Sequence, residues 1–177
     1  MDVRETAEQA LIRQSVREFA EAELRPHVRA WDEAQHFPVE ILPKLAALGL
    51  MGMQVPEALG GAGMSALEYC IAIEELARVE PGVALSVAAH NGLACAHLLM
   101  FGSEAQQSRY LVPLARGEQL GAWALTESTS GSDAAGMHTR AIAEGGEWRL
   151  DGAKTFTTHG RSADVVMVMA VTDPQAG

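Results

Sequence analysis

The first part of the chain places its apolar residues at helical spacing. Between residues 11 and 24 they recur at steps of three and four, which puts them on one face of an α-helix. These residues are Leu11, Ile12, Val16, Phe19, Ala20 and Leu24. Pro26 is expected to disturb the helix near its end, because proline has no backbone N–H to donate. The pattern therefore predicts an amphipathic first helix.

Four more helices are predicted, at residues 38–48, 65–79, 83–100 and 103–116. The first has Pro38 in its opening turn, where a missing N–H costs nothing. Capping boxes open two others, Ser65 to Glu68 and Ser103 to Gln106. The helix at 83–100 has almost no charge, which predicts a place at the centre of a bundle. Pro81-Gly82 is expected to end the preceding helix at 65–79.

After Gly117 the spacing of the apolar residues becomes that of short strands. The predicted strands are 119–126, 137–143, 147–150, 154–158 and 164–171. Between some of them, Gly145-Gly146 and Asp151-Gly152 suit hairpin turns. Because helices come first and strands follow, the pattern predicts an α+β protein with two consecutive domains rather than alternating βαβ units.

Composition narrows the function classes. The 177 residues suffice for one large or two small domains, and the formal net charge is −10. Nucleic acid and anionic membranes are negative too, so neither is an expected partner. No stretch approaches the about 20 uninterrupted apolar residues of a membrane span, and residues 1–6 lack a signal-peptide core. Cys70 and Cys95 have no metal-ligand spacing, which favours buried free thiols in a reducing cytoplasm.

Residues 124–136 hold most of the candidate chemistry. An apolar run, 120–125, stops abruptly in hydroxyls, carboxylates and glycines, as a strand does when it delivers a polar loop to a ligand. Gly131 and Gly136 let backbone N–H groups approach a ligand closely. The hydroxyls that can donate or accept are those of Thr126, Ser128, Thr129, Ser130 and Ser132. A phosphate or a heteroaromatic ring would suit this loop, and a solvated Ser/Thr turn is the alternative.

Four landmark motifs are found along the chain. Trp123-Ala-Leu-Thr-Glu127 followed by Gly131-Ser-Asp133 resembles the flavin loop of the acyl-CoA dehydrogenase family, in which the four motifs occur in the same order. Lys154-Thr-Phe-Thr-Thr-His-Gly160 resembles its lysine-x-tryptophan-isoleucine-threonine-asparagine-glycine segment. The other two are Val55-Pro-Glu-Ala-Leu-Gly-Gly61, before a helix ending in Glu74-Glu-Leu-Ala77, and Phe101-Gly-Ser-Glu-Ala-Gln106 with Tyr110-Leu-Val-Pro113. The resemblance runs from about residue 5 to the last residue.

Three positions depart from the family pattern. Ser128 stands where a proline usually follows the glutamate, a change that could loosen the turn but removes no donor. Phe156 replaces tryptophan, which keeps a stacking face and loses the indole N–H. His159 replaces asparagine, and its role is open.

The resemblance implies a fold and a cofactor. It implies an all-α N-terminal domain (residues 1–117) and an incomplete middle domain (118–177), an antiparallel β-barrel-like unit. The resemblance also implies that the family's C-terminal helical domain is not part of this sequence. FAD is the implied cofactor. Thr126 would hydrogen-bond the pyrimidine side of the flavin, and Phe156 would pack on it. The Thr158 hydroxyl would approach N5.

The remaining site residues follow from the same resemblance. Ser132, with the N–H groups around Gly131, would face the FAD pyrophosphate or the thioester end of the substrate. The implied cofactor-binding residues are Trp123, Ala124, Leu125, Thr126, Gly131, Ser132, Phe156, Thr157 and Thr158, and Ser132 is also an implied substrate-binding residue. No catalytic residue is assigned, because the family's general-base glutamate normally lies in the C-terminal domain.

The implied reaction is α,β-dehydrogenation of an acyl-CoA to a trans-2-enoyl-CoA, with electrons passing to an electron-transfer flavoprotein. The full-length protein is expected to be a homo-oligomer. Two alternatives to this reaction remain open. The first is that the chain is a non-catalytic remnant or binding fragment. The second is that it belongs to an acyl-CoA oxidase or a related flavin monooxygenase that uses the same loop.

Three other motifs have simpler explanations. Gly60-Gly-Ala-Gly63 lacks the strand and the spacing of a dinucleotide-binding loop, so a turn between helices is expected. His90 and Asn91 interrupt the apolar helix; they either contact substrate or hydrogen-bond within the bundle, and the structural role is favoured. Glu74 and Glu75 are expected to be solvated on a helix surface.

Overall fold

The computed structural model describes residues 4–175. The expectation that residues 1–6 lack a signal-peptide core falls partly on residues 1–3, which lie outside the described residues, as do 176 and 177. The α-helices are α1 (Ala7–Phe19), α2 (Val28–Ala34), α3 (Leu42–Ala47), α4 (Ala66–Ala77), α5 (Pro81–Ala89), α6 (Ala96–Phe101), α7 (Glu104–Gln106) and α8 (Val112–Ala115).

Short helical segments of other types extend or join these helices. Ala20–Leu24 is a π-helical extension of α1, which ends just before Pro26. His90–Cys95 joins α5 to α6, and Gln107–Leu111 joins α7 to α8, so each pair is one continuous rod. The 3₁₀ turns are Val39–Ile41, Glu57–Leu59 and Ala134–Gly136.

Local capping fixes several helix starts. The predicted capping boxes are confirmed at Ser65 on α4 and at Ser103 on α7. The expected break between the two helices is confirmed, since α4 ends at Ala77, but the second helix begins at Pro81 rather than at Val83. Proline is tolerated there since the first N–H of a helix has no intrahelical partner. The Glu80 carboxylate accepts from the Gly82 N–H at 2.8 Å instead.

The rod Pro81–Phe101 is the central helix of the bundle. Its buried face contributes Val83, Ala84 and Val87 to a core shared with α1, α3 and α4. By length and composition alone the rod is apolar enough to cross a membrane, but 56% of its apolar window is buried inside the protein. A helix at the centre of a bundle is equally apolar, because most of its surface packs against other parts of the protein. The burial of this rod therefore agrees with the predicted central position.

The strands are β1 (Gly121–Ala124), β2 (Arg140–Glu144), β3 (Glu147–Asp151) and β4 (Val165–Val168). β2 and β3 form an antiparallel hairpin, with Gly145 and Gly146 at positive φ in its turn. β1 pairs with β4 in parallel, in the register Gly121↔Val165. The α+β class is confirmed; the pairing is mixed rather than antiparallel throughout, and no barrel closes within residues 4–175.

One predicted strand is absent. Residues 154–158 form a loop because Phe156 and, just after it, His159 have φ values of 54° and 64°. Extended chain requires negative φ, so two left-handed residues so close together prevent a ladder. The chain between β1 and β4, residues 125–164, is long enough for β4 to run in the same direction as β1.

The polar residues of the central helix have structural partners, as favoured from the sequence. Asn91 accepts from the Met53 N–H at 2.9 Å and donates to the carbonyls of Leu50 and Val87, both at 2.9 Å. His90 is fully buried and joins two chain segments, Leu114 and Gly121. Neither side chain is free to bind a substrate.

Two sequence expectations were wrong. The Glu75 side chain is only 1% exposed rather than solvated, because Arg13 and Arg17 of α1 pair with it at 2.6 and 2.9 Å. Cys70 is exposed on α4, whereas Cys95 is buried as expected. Both errors arise from which face of α4 meets α1, a matter that the spacing within α4 does not determine. The Gly60 segment is the expected turn, with Gly60 at φ 85°.

Candidate functional site

The two segments singled out in the sequence lie side by side in the structure. The Thr155 N–H donates to the Thr126 carbonyl at 2.7 Å. The Lys154 ammonium donates to the Leu125 carbonyl at 2.8 Å and to the Glu127 carboxylate at 2.7 Å. The loop 124–136 and the segment 154–160 therefore form one continuous surface at the end of β1.

Glu127 organises the loop from inside it. Its side chain is 6% exposed. Besides Lys154, it accepts backbone N–H bonds from His138 at 2.7 Å and Thr139 at 2.9 Å. The hydrogen bond from Lys154 holds the pKa of the Glu127 carboxyl well below its usual range, with the Thr139 and His138 bonds adding to the effect. A carboxylate so paired does not serve as a general base.

A tight turn follows Glu127. Its N–H donates to the Ser130 carbonyl at 2.8 Å, and the Ser130 hydroxyl donates to the Asp133 carbonyl at 2.5 Å. Ser128, at the position where the family usually has proline, is exposed in a turn that still closes. The predicted loosening is not observed, because Ser130 and Glu127 hold the turn from within.

Five hydroxyls of the two segments are available to a ligand. Within residues 4–175, none of these side chains has a hydrogen-bond partner: Thr126, Ser128, Ser132, Thr157 and Thr158. Gly131 is exposed, and a Cβ built on it meets no atom within 4 Å, so its backbone faces open space. Of the five loop hydroxyls named from the sequence, those of Thr126, Ser128 and Ser132 are free, whereas Ser130 donates to the Asp133 carbonyl and Thr129 lies 3.5 Å from the His138 ring.

Phe156 presents an aromatic ring to the outside. It is 93% exposed, which is rare for a phenylalanine, and its backbone is left-handed. The segment is anchored on both sides, by Thr155 to Thr126 and by His159 to Gly121. A ring held out by a fixed backbone suits stacking on a planar ligand.

His159, whose role the sequence left open, ties this segment to β1. Its Nδ1–H donates to the Gly121 carbonyl at 2.9 Å, since a carbonyl only accepts. Burial lowers the pKa of the ring, and Nε2 is buried without a partner. His159, Thr157 and Thr158 line an open cavity of about 410 Å³ together with Phe37 and Ser86 of the helical part.

The other predicted residues lie on β1 or at its end. The Trp123 ring is 5.3 Å from that of His97, and its Nε1 is buried without a partner. Ala124 is buried, and Leu125 accepts from Lys154 through its carbonyl. The structure thus brings all nine predicted residues into two adjacent segments, and their contacts with a flavin stay predictions.

Sequence reasoning missed the residues that hold these segments together. Lys154 was part of a recognised motif, but its pairing with Glu127, 27 positions away, depends on the path of the chain. Phe37 and Ser86 come from the helical part and gave no signal of a shared cavity. The exception is His159, whose departure from the family pattern marked it in advance.

Comparison with known proteins agrees with this architecture. The family profile described as "Acyl-CoA dehydrogenase, N-terminal domain" matches residues 6–118, and "Acyl-CoA dehydrogenase, middle domain" matches 122–177. The chain belongs to the acyl-CoA dehydrogenase family. Among curated relatives, the short-chain specific acyl-CoA dehydrogenase of Clostridium acetobutylicum is 41% identical over 177 residues, all of this chain and 47% of the relative.

Two solved structures extend the comparison. The butyryl-CoA dehydrogenase of Megasphaera elsdenii matches with a TM-score of 0.94 and 37% identity, over 100% of this chain and 47% of that one. The glutaryl-CoA dehydrogenase of Mycobacterium smegmatis, solved in complex with FADH2, matches with a TM-score of 0.92 and 36% identity, over 96% and 44%. The chain thus spans about half the length of the relatives it matches.

Proposed function

We propose that this chain forms part of an FAD-dependent enzyme that oxidises an acyl-CoA thioester to a trans-2-enoyl-CoA. Residues 1–117 would be its N-terminal domain and 118–177 part of its middle domain. Family membership and the butyryl-CoA and glutaryl-CoA dehydrogenase neighbours support this reaction class. The observation on which the proposal rests is the adjacency of the two polar segments, joined at Thr126 and Thr155.

The exposed groups of these segments fit a flavin. Such a ring needs a stacking face and several hydrogen-bond partners, and the segments offer Phe156 and five unpartnered hydroxyls. Bound FAD would supply the two-electron oxidation of the acyl group. Thr126 would donate to the pyrimidine side, Phe156 would cover a ring face, and Thr158 would approach N5. Trp123, Ala124 and Leu125 would shape the wall behind them, with Thr157 beside.

The phosphate end of the cofactor would lie at the other side of the loop. Gly131 faces open space, so its backbone can approach an anion without a side chain in the way. Ser132, exposed next to it, would bond the pyrophosphate or the thioester end of the acyl-CoA.

The general base would come from outside this chain. Glu127 is the buried carboxylate of the loop, and it is already paired with Lys154. That pairing favours a second candidate function for the isolated chain, namely flavin binding without turnover. Electron-transfer flavoprotein is the proposed electron acceptor, and a homo-oligomer is the proposed state of the longer protein. A reducing compartment, the cytoplasm, is proposed because Cys70 and Cys95 are unpaired.

The proposal is tested by titrating FAD into the purified 177-residue chain and following the visible flavin band. Saturable binding is expected, weakened at least about tenfold in Thr126→Ala, which loses a hydrogen bond to the cofactor. Thr172→Ala, an exposed change beyond both segments, is the matched control. A chain that binds no FAD contradicts the proposal for these residues.

Adding butyryl-CoA to the FAD-loaded chain then separates the two candidate functions. Bleaching of the flavin band means that the chain itself oxidises substrate. A loaded chain whose band is unchanged supports binding without turnover, with the base supplied from elsewhere.

A further inference from the structure

The ion pair between Glu127 and Lys154 is buried, and each charged group has further hydrogen-bond partners. The two side chains are 6% and 10% exposed, and their charged atoms are 2.7 Å apart. Glu127 also accepts two backbone N–H bonds, and Lys154 also donates to the Leu125 carbonyl. Desolvation of two charges is costly, and these additional hydrogen bonds help to offset it.

A buried ion pair of this kind adds little net stability compared with apolar residues of similar volume. What distinguishes the pair is the direction of its hydrogen bonds, because each charged group bonds to particular partners in the chain. Here the partners belong to three separate stretches: the end of β1, the start of β2 at Thr139, and the segment that holds Phe156. The pair therefore determines how these stretches lie relative to one another.

Close backbone packing surrounds the pair. Gly152, two residues before Lys154, lies so close to Thr139 that a Cβ on it would be 2.5 Å from the Thr139 hydroxyl. Thr139 is the residue whose N–H donates to Glu127 at 2.9 Å. Lys154 can therefore approach Glu127 because residue 152 is a glycine, since a larger side chain there would collide with Thr139.

We propose that Glu127 and Lys154 are positioning residues that couple the two halves of the flavin site, holding Thr126 and Phe156 at a fixed separation. The proposal rests on the proposed flavin function. The Lys154 ammonium locks Glu127 and Leu125, which flank Thr126, to the chain two residues before Phe156. Without the hydrogen bonds of Lys154, each of the two segments still folds, but Thr126 and Phe156 are no longer held at the separation that the flavin ring requires.

The test measures amide hydrogen exchange by NMR and FAD affinity on the same proteins. In Lys154→Met, exchange at Thr139 and Thr155 is expected to rise at least about tenfold, since charge-assisted bonds are lost nearby. Exchange at Val87 in the central helix stays unchanged and reports an intact fold. The FAD dissociation constant rises about tenfold as well.

Two controls separate positioning from charge alone. Arg149→Met removes a half-exposed partner of Glu144, 3.1 Å away in the same domain, and neither readout should change. The swapped variant Glu127→Lys/Lys154→Glu keeps an ion pair but not the acceptor for His138 and Thr139, so it should not restore either value. Lys154→Arg keeps the donor and should restore part of both.

The outcomes are distinct. Faster exchange confined to residues 154–158, with Thr139 unchanged, overturns the coupling, as does full recovery in the swapped variant. If the wild-type chain binds no FAD, the flavin proposal fails for this chain, while exchange at Thr139 and Thr155 still decides whether the pair couples the segments. Lost exchange protection at Val87 in Lys154→Met would show a global fold role and would also overturn the proposal.

Discussion

The buried ring of His90 accepts a hydrogen bond from the backbone N–H of Gly121 at 3.0 Å, so the middle of the central helix is tied to the first residue of β1. The opposite nitrogen, Nε2, donates to the Leu114 carbonyl at 3.1 Å. The carbonyl of Gly121 in turn accepts from His159. One residue of β1, Gly121, is thus held between two histidines, one from the bundle and one from the segment of Phe156.

This arrangement predicts that stability falls as the pH drops below about 6.5. Burial lowers the pKa of His90 to about 4, and 6.5 is its ordinary value. The unfolded chain therefore takes up a proton first, and the stabilisation present above pH 6.5 is lost progressively down to pH 4. The contribution is about 3 kcal/mol, an order-of-magnitude value. Urea unfolding at several pH values measures it.

His90→Asn is the variant that checks the assignment. It removes the titrating group, so its stability should vary less between pH 6.5 and 4 than that of the wild type. The pKa of His159 is also lowered by burial, so His159→Asn serves as the comparison for the remaining slope. A wild-type profile that is flat across this range would contradict the prediction.

Gly121→Ala should destabilise the protein by about 1–3 kcal/mol, because the added methyl group would overpack the contact between β1 and the central helix. A Cβ on Gly121 would be 2.5 Å from the Cβ of Ala94 in the central helix. Gly131→Ala is the matched control, since a Cβ there meets no atom within 4 Å, and it should change stability little. Chemical denaturation of both variants decides; equal effects would mean that β1 can shift away from the helix.

Local signals predicted much of this fold, and contacts distant in sequence explain the rest. The capping boxes at Ser65 and Ser103 were identified because both partners lie within one turn. Residues 154–158 were predicted as a strand because Phe and Thr favour one, yet ties from Thr155 to Thr126 and from His159 to Gly121 impose a loop. Spacing within a segment does not contain such information.

The candidate site shows the same division. The two segments were recognised from their residues, whereas the pair Glu127–Lys154 that joins them was not. The prediction that Glu75 is solvated was wrong for a similar reason, since its arginine partners lie 58 and 62 positions earlier on another helix. Charged residues on a helix are usually solvated, and only the packing of α1 on α4 makes this one an exception.

Glu75→Gln should lower stability by about 1–3 kcal/mol through loss of charge-assisted hydrogen bonds. Arg17, then Arg13, lower the pKa of Glu75 to about 2 from 4.5. The stabilisation is therefore present above about pH 4.5 and disappears as the pH falls towards 2, so the effect of the mutation should shrink in acid. Thermal unfolding of the variant at neutral and acidic pH measures both.

The neighbouring Glu74 supplies the control for this prediction. Its side chain is 60% exposed, and it also contacts Arg13, at 2.9 Å. Glu74→Gln should cost no more than about 0.5 kcal/mol, because exposed ion pairs contribute little. If both substitutions had the same small effect, burial of Glu75 would not be the source of its contribution.

Phe156→Ala should separate function from stability. The ring is 93% exposed, so its removal should change the free energy of unfolding by less than about 0.5 kcal/mol. If the ring stacks on a flavin, FAD affinity should nevertheless fall by about tenfold, since aromatic pairs contribute about 0.5–1.5 kcal/mol beyond the area they bury. Trp148→Ala removes another exposed aromatic ring, 61% accessible, from the hairpin of the same domain, and should alter neither quantity. Calorimetry of unfolding and FAD titration on the three proteins give the answer, and an unchanged FAD affinity in Phe156→Ala would remove this ring from the proposed site.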